Sequence, residues 1–547
     1  LHIKKLIVYN FKSFYGKFEI SLDEGINIIV GDNEQGKSTI LEAINLCLTG
    51  FVGGRYFKAE LSEHLFNVDI VNEYLSSLNT DNKKEPPSFL LELYLDDDSI
   101  PEFMGDDNSL KSGNVGLYYK VQFDERYKLE YENLVKHGEI NSLPIEYYEV
   151  VRSSFARNYL TNRQVPLKSA LIDSSEFRYR NGSDVYVNRI IKDLLDEKEL
   201  VEISQAHRGM KDEFKNHDAI KRINEKISKS SRVTKKNVTI STDLNTQSAW
   251  ESSLSAYVDS VPFSLIGKGE QCLIKTNLAL SHSKTIESNL LLLEEPENHL
   301  SYSKLNVLLD GIIRGSKDRQ VILCTHSSYV ANKLSLKNLI LLANKKTVRL
   351  SDLSEDTYDF FKKVAGYDTL RLVLCDKAIL VEGDSDELIV QKAYSDVKGR
   401  LPINDSIDVI SVGVSFLRWL EIAEKINKEV CVVTDSDGDL SALKKKYKKY
   451  LDDPKKYSNI KICFDEIIDK GSLIVSGKPF NYNTLEPKIL KANGLQVMNQ
   501  VFETNYQDED DLRKFMKNSK TECALKIFNT SHKINIPEYI LKAINDE

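Results

Sequence analysis

Apolar and polar residues alternate over residues 3–30 and end in the run Ile26-Asn27-Ile28-Ile29-Val30. Alternation with period two sends successive side chains to opposite faces of an extended chain, so this stretch predicts a strand pair leading into a buried strand. Ser38 to Leu48 has helical spacing. Residues 51–115 are irregular, with an Asn/Asp/Lys tract from Asn79 to Glu85 followed by Pro86-Pro87, and are expected to form surface loops with embedded strands. Tyr118 to Glu132 alternates again. From Asp184 to Ser231 the spacing is helical. An α/β rhythm returns at Leu254 and runs to Leu350, and residues 351–373 read as a helical connector. From Lys377 to the end, buried strands are expected to alternate with helices.

A chain of 547 residues exceeds what one core supports, so several domains are expected. The composition, 41% hydrophobic and 29% charged, is that of a globular protein, and apolar runs such as Leu290 to Leu293 are too short to span a bilayer. The first residues lack the organisation of a signal peptide, and a cytoplasmic location is the expectation. The seven cysteines are scattered without a CxxC pair, which favours buried thiols over disulfides or zinc. A net charge of −8 confines any nucleic-acid surface to local patches. Two stretches qualify. His207 to Lys236 holds ten Lys/Arg against four Asp/Glu, and Lys444 to Lys461 holds eight Lys against two Asp. The first fits a dimerisation arm, a DNA-contacting arm or a solvated helix face. The second fits a phosphate-contacting helix or, again, a solvated face.

Gly31-Asp32-Asn33-Glu34-Gln35-Gly36-Lys37-Ser38 fits G-x4-G-K-[ST], between a buried strand and a helix. In such a loop the glycines let the backbone close around phosphate, and the amides and helix N-terminus supply positive potential. Lys37 is expected at the β- and γ-phosphates and Ser38 on Mg2+, with Asn33, Gly36 and Thr39 completing the ATP contacts. Leu290 to Leu293 followed by Glu294-Glu295 reads as a buried parallel strand that delivers two acids to its C-terminal edge. Glu294 is expected to hold Mg2+ and Glu295 to polarise the attacking water. Gly267-Lys268-Gly269-Glu270-Gln271 opens a further helix, another anion site, and His326 follows the strand Val321 to Cys324, within reach of a γ-phosphate.

Together these motifs resemble the ABC-type ATPases of the branch containing RecF and SMC proteins. Asn10-Phe11-Lys12-Ser13-Phe14 is similar to that branch's N-terminal element, Gly267 to Gln271 to its signature, Glu297-Asn298-His299-Leu300 to its D-loop and His326 to its switch histidine. Lys268 departs from the small residue of the signature, and Glu294 from the usual Asp. The resemblance implies that Gly267, Gly269 and Glu270 act on ATP held by a second subunit, hence a homodimer or higher homo-oligomer.

A second constellation lies downstream. Ala378 to Val381 is a buried strand ending in Glu382-Gly383, with Asp386 shortly after, and Val430 to Val433 leads into Thr434-Asp435-Ser436-Asp437-Gly438-Asp439. Positions i and i+2 of an extended segment face one way, which would aim Asp435 and Asp437 into one site. Acids at the ends of two parallel strands suit one or two Mg2+ or Mn2+ ions bound through oxygen, and a pair of ions about 4 Å apart suits in-line attack on a phosphodiester. The alternative, a calcium loop, lacks the glutamate at the twelfth position.

Glu382, Asp435 and Asp437 resemble the Toprim pattern, and a RecF-like ATPase followed by a Toprim domain is similar to the OLD (overcoming lysogenisation defect) nucleases. That resemblance adds Asp386 and Glu486, in Thr484-Leu485-Glu486, to the metal-binding acids. It also makes Lys520, in Ser519-Lys520-Thr521-Glu522-Cys523, a catalytic lysine. The expected fold class is α/β: an ATPase domain over 1–165 and 255–350, a helical insert over 175–254 serving dimerisation, a connector over 351–376 and a Toprim nuclease domain over 377–547. The implied function is an ATP-regulated, metal-dependent DNA endonuclease in anti-phage defence, beside a helicase-like protein or a reverse transcriptase with its nucleic acid. A RecF-like ATP-dependent DNA clamp or sensor without nuclease activity is the alternative. A topoisomerase or primase is less apt, because no accompanying cleavage domain offers a tyrosine nucleophile.

Overall fold

A computed structural model describes the chain except for residues 33, 53–54, 138–139, 174–178, 181–182, 185–196, 231–239, 241–255, 282–288, 317–318, 364–366 and 546–547. It divides into two compact units, Leu1–Asn27 with Ser38–Cys324, and Ile28–Lys37 with Thr325–Glu547.

The first unit holds an antiparallel sheet whose strands run in the order Lys17–Ser21, Ile3–Tyr9, Phe89–Leu95, Asn114–Phe123 and Met104–Gly105, with Tyr148–Ser154 also paired to Asn114–Phe123. The alternation of Lys17–Ser21 is realised at an edge: Phe18 and Ile20 are buried while Lys17, Glu19 and Ser21 face solvent. Phe89 is packed by the rings of Phe11, Phe57 and Phe66. A second, parallel arrangement pairs Leu290–Glu294 with Ser169–Asp173 on one side and with Gln320–Cys324 on the other. Leu290 to Leu293 are all buried, as expected of a strand covered on both faces. The buried Gln320 side chain joins the two arrangements. It accepts from the Ile3 amide at 2.8 Å and donates to the carbonyls of Ile3 and Asp23 at 2.7 and 2.8 Å.

Two expectations need correction here. A helix, Val68–Ser77, stands within the stretch read as loops; Asn67 caps it by accepting from the Asp69 amide, and Val71 and Tyr74 turn inward. The alternation from Tyr118 stops at Phe123, where Asp124 accepts from the Arg126 amide and turns the chain toward the helix Lys128–His137. The described part of the insert, expected to be helical, holds a short strand pair, Tyr179–Arg180 with Ser183–Asp184, as well as the helices Glu197–Asn216 and Asp218–Ser230, on which Val201, Met210, Phe214 and Ile223 are exposed. Most of the insert's flanks lie outside the described residues.

In the second unit, Ile28–Gly31 pairs in parallel with Leu339–Ala343, which pairs antiparallel with Lys346–Arg349. The connector forms the helices Glu355–Lys363 and Tyr367–Leu374. A four-stranded parallel sheet follows, in the order Ile407–Ser411, Lys377–Val381, Glu429–Val433, Ile460–Cys463. The expected alternation of strands and helices ends there. After a short hairpin, Ile474–Val475 with Lys478–Pro479, the chain forms the helical segment Leu485–Phe502, broken by a kink at Gly494, and then the helices Glu509–Asn518, Lys520–Asn529 and Glu538–Ile544. They close over the sheet, so that Ile379, Val433, Leu490, Met516, Ile527 and Ile540 share one core. Among the described residues no helix is long and apolar enough to cross a membrane.

Candidate functional sites

The residues expected to bind ATP fall in both units. In the second unit, Gly36 adopts φ +101°, where a side chain would be strained, and the buried Lys37 ammonium donates to the carbonyls of Gly31 and Asp32 at 2.9 and 2.8 Å. The loop is thus closed on its own lysine. His326 follows the strand Gln320–Thr325 and is partly buried, and the next residue, Ser327, caps a helix by accepting from Val330. Asn33 lies outside the described residues.

In the first unit, Ser38 is exposed and Thr39 accepts a hydrogen bond from Ser13 at 3.2 Å, which ties the N-terminal element to the helix Lys37–Thr49. Lys12 pairs with Glu42 of the same helix. Glu294 ends its strand partly buried. Glu295 turns to φ +42°, donates its amide to Cys324 at 2.9 Å and accepts from the Asn298 side chain at 2.7 Å. Asn298 therefore orients the carboxylate expected to act as base. Gly267 and Glu270 are exposed at the start of the helix Lys268–Ser281. Gly269 lies so close to the His299 carbonyl that a Cβ would stand 2.3 Å from it.

The second constellation gathers at the ends of the parallel strands. Glu382 follows Lys377–Val381, and Asp386 sits in the first turn of the helix Asp384–Lys398, where its Oδ2 accepts from the Gly383 amide at 3.2 Å. Asp435 follows Glu429–Val433 and accepts from the Leu485 amide at 3.1 Å. Glu486 opens the helix Leu485–Phe502, nearly buried, and Lys520 meets its Oε1 at 3.0 Å. These groups are close enough to act on one another electrostatically. Burial, then the charges of Glu382 and Glu486, push the Asp386 carboxyl up to about 7. Burial, then Asp386, Glu382 and Glu486, raise Asp435 well above the usual carboxylate range. Burial works against the Lys520 charge, but Glu486, Asp435 and Asp386 raise its pKa on balance. The structure therefore brings Glu382, Asp386, Asp435, Glu486 and Lys520 together.

Asp437 stands differently. Asp437 and Gly438 adopt φ +49° and +82°, and the Asp439 amide bonds the Ser436 carbonyl at 2.9 Å. The D-S-D-G-D segment is a turn, so the extended-strand argument for aiming Asp435 and Asp437 alike does not hold. Asp437 Oδ1 instead accepts from the Asn481 amide at 2.8 Å. As arranged, no three His, Cys, Asp or Glu among the described residues stand close enough to hold a metal ion. The donor chemistry nonetheless fits a divalent cation. The cluster is all carboxylate, partly to fully buried and only partly offset by the single charge of Lys520, and hard ions such as Mg2+ and Mn2+ take oxygen ligands.

Asn298, named in the sequence only as part of the D-loop likeness, touches Glu295, and sequence inspection missed Thr434, Asn481 and Tyr539, each of which touches an assigned acid. Only Thr434 carries a local signal, its place directly before the D-S-D run. The lysine-rich stretch is not one helix but two short ones, Leu440–Lys446 and Lys448–Asp452, followed by the strand Ile460–Cys463. Lys449 pairs with Glu424 and Lys461 donates to the Lys542 carbonyl, while Lys444, Lys445 and Lys448 are exposed.

A family model described as an AAA ATPase domain matches residues 2–331, and one described as an overcoming lysogenization defect protein-like TOPRIM domain matches residues 373–437. The DNA replication and repair protein RecF of Clostridium botulinum (strain Eklund 17B / Type B) is 40% identical over 47 residues, which is 9% of this chain and 13% of that relative's length. Among solved structures, the SMC head domain from Thermotoga maritima is 14% identical and aligns over 64% of this chain and 98% of its own, with a TM-score of 0.28. The C-terminal region of the Xanthomonas campestris pv. campestris OLD protein is 22% identical over 31% of this chain and 90% of its own, with a TM-score of 0.22.

Proposed function

The chain belongs to the AAA ATPase domain family and carries an OLD-like Toprim domain behind that region, and on this footing we propose that it is an ATP-regulated, metal-dependent DNA endonuclease. The observation that carries the proposal is the cluster of Glu382, Asp386, Asp435 and Glu486 at the strand ends, with Lys520 on Glu486. With Asp437 these acids would hold one or two Mg2+ or Mn2+ ions, which supply Lewis-acid activation of a phosphodiester and of the attacking water. Lys520 offsets negative charge developing on the scissile phosphate. At the ATPase, Asn33, Gly36, Lys37, Ser38 and Thr39 cradle the phosphates, Ser38 and Glu294 hold Mg2+, Glu295 positions water and His326 senses the γ-phosphate. Gly267, Gly269 and Glu270 complete the site of a second subunit. The exposed apolar residues of the insert helices support a homodimer or higher oligomer. The OLD likeness supports a role in anti-phage defence, beside a helicase-like or reverse-transcriptase partner, and the proposed location is cytoplasmic.

A non-cleaving ATP-dependent DNA clamp is the second reading, favoured because no three acids among the described residues stand close enough to hold a metal ion. Supercoiled plasmid incubated with purified protein and Mg2+ or Mn2+, with and without ATP, separates the two. Nicked or linear product is expected. Bound but intact plasmid under every condition favours the clamp, and relaxed closed circles would indicate a topoisomerase.

Lys520→Ala is expected to slow single-turnover cleavage by about a hundredfold or more, the usual scale for removing a charge aimed at a transition state. DNA binding should be nearly unchanged. Lys517, which lies over the Phe480 ring, serves as the control; equal mild effects from Lys517→Ala and Lys520→Ala would make Lys520 an ordinary surface lysine. Replacing the exposed Lys444, Lys445 and Lys448 by Ser should weaken duplex binding and flatten its salt dependence, with the log–log slope falling by about 0.9 for each phosphate that is no longer neutralised. An unchanged slope would return this stretch to a solvated surface.

A further inference from the structure

Asp435 and Glu486 have both carboxylate oxygens engaged, whereas Glu382 and Asp437 are each held by a single side-chain donor. Thr434, only 4% exposed, donates its hydroxyl to Glu382 Oε1 at 2.8 Å. The nearby Tyr447 is 1% exposed, and burial raises its phenol well above the ordinary range. At the other end of the turn, Asn481 donates its amide to Asp437 Oδ1 at 2.8 Å. The Asn481 amide cannot rotate freely, because its own Oδ1 accepts from the Asn483 amide at 2.9 Å. Asn483 in turn exchanges two hydrogen bonds with the Asp469 backbone, at 2.7 and 3.0 Å. Asp386 is held by one oxygen as well, through the Gly383 amide.

Among the described residues, Glu382 Oε2 and Asp437 Oδ2 have no protein hydrogen-bond donor. Each of these two acids thus has one oxygen fixed by the protein and one uncommitted. A carboxylate pinned in this way loses little rotamer freedom on binding a cation, and its free oxygen is the better ligand for it. We infer that Thr434 and Asn481 are positioning residues of the metal site, each holding one oxygen of an acid so that the other serves the ion. The inference rests on the nuclease proposal above.

Replacing an outer hydrogen-bond partner of a metal ligand typically costs about 10–100-fold in metal affinity. The test is Mn2+ binding to the full chain without nucleotide, followed by the electron paramagnetic resonance signal of free Mn2+. Thr434→Val keeps the shape and removes the donor, and Asn481→Leu does the same for the amide. Both should weaken Mn2+ binding by about 10–100-fold, Thr434→Ser should restore it, and ATP turnover should stay at the wild-type rate in all three, which reports that they fold. High Mn2+ should recover much of the cleavage activity, a shift in metal dependence that a merely structural role would not produce. Wild-type Mn2+ binding in Thr434→Val and Asn481→Leu, with binding abolished in Glu382→Ala, overturns the inference and leaves the metal site standing. Wild-type binding in Glu382→Ala as well removes the metal site itself, and the inference with it.

Discussion

Asp435→Asn is expected to abolish DNA cleavage while ATP turnover continues. The substitution keeps the size and the hydrogen bond from Leu485 but removes the charge a cation needs at the centre of the cluster. Lewis-acid stabilisation of several kcal/mol corresponds to about a thousandfold or more in rate, so single-turnover cleavage should fall to background. Loss of fold is not a competing explanation, and the sign of the electrostatics says why. Burial and three neighbouring acids raise the Asp435 carboxyl above its unfolded value. The folded protein then binds more protons than the unfolded chain between the ordinary carboxylate pKa, about 4, and the raised one, so metal-free stability falls as pH rises through that window. Asp435→Asn removes this penalty. Metal-free thermal unfolding at pH 8 should show the variant at least as stable as the wild type. A parallel fall of ATPase and cleavage in a folded Asp435→Asn protein would contradict two separate sites.

Lys37→Ala is expected to lose ATP binding and, with it, hydrolysis. The lysine is buried against the loop, its ammonium shared between two backbone carbonyls. A charge-assisted hydrogen bond contributes about 1.5–3 kcal/mol, so removing the ammonium from the β- and γ-phosphates weakens binding roughly 10- to 100-fold, and its absence at the transition state slows turnover further. Glu295→Gln provides the contrast. The amide retains the shape of the side chain beside Asn298 but cannot polarise water, so ATP should bind normally and turn over slowly. Equilibrium nucleotide titration and steady-state phosphate release separate the two variants. Unchanged turnover in Glu295→Gln would remove Glu295 from the role of base.

The phosphate loop, the acidic strand ends and the two acid-bearing strands of the parallel sheet were legible in the sequence because each is a local pattern, an apolar run of strand length ending in glycine or acid. Glu486 and Lys520 were legible only through resemblance; the 3.0 Å pair between them joins the starts of two helices that no periodicity links. What stayed hidden was set by tertiary packing or by turn chemistry. The D-S-D-G-D run looks extended by alternation, yet Asp437 and Gly438 take positive φ and turn it. Helix Val68–Ser77 is announced by little more than Asn67 and two inward residues inside a polar stretch. Cys431 and Cys463 are far apart in the sequence, but neighbouring parallel strands set their sulfurs 3.5 Å apart as buried free thiols. Asn481 and Tyr539 reach the acids from a loop and from the last helix, where nothing in composition distinguishes them from other polar and aromatic residues.

Supercoiled plasmid cleavage by the wild type and by Asp435→Asn, each with Mn2+ and with excess chelator, tests the metal-dependent nuclease most directly. Nicked or linear DNA should form with wild type plus Mn2+ and in none of the other three reactions. Cleavage that survives chelation, or that Asp435→Asn carries out at the wild-type rate, would contradict a phosphodiesterase built on the acid cluster.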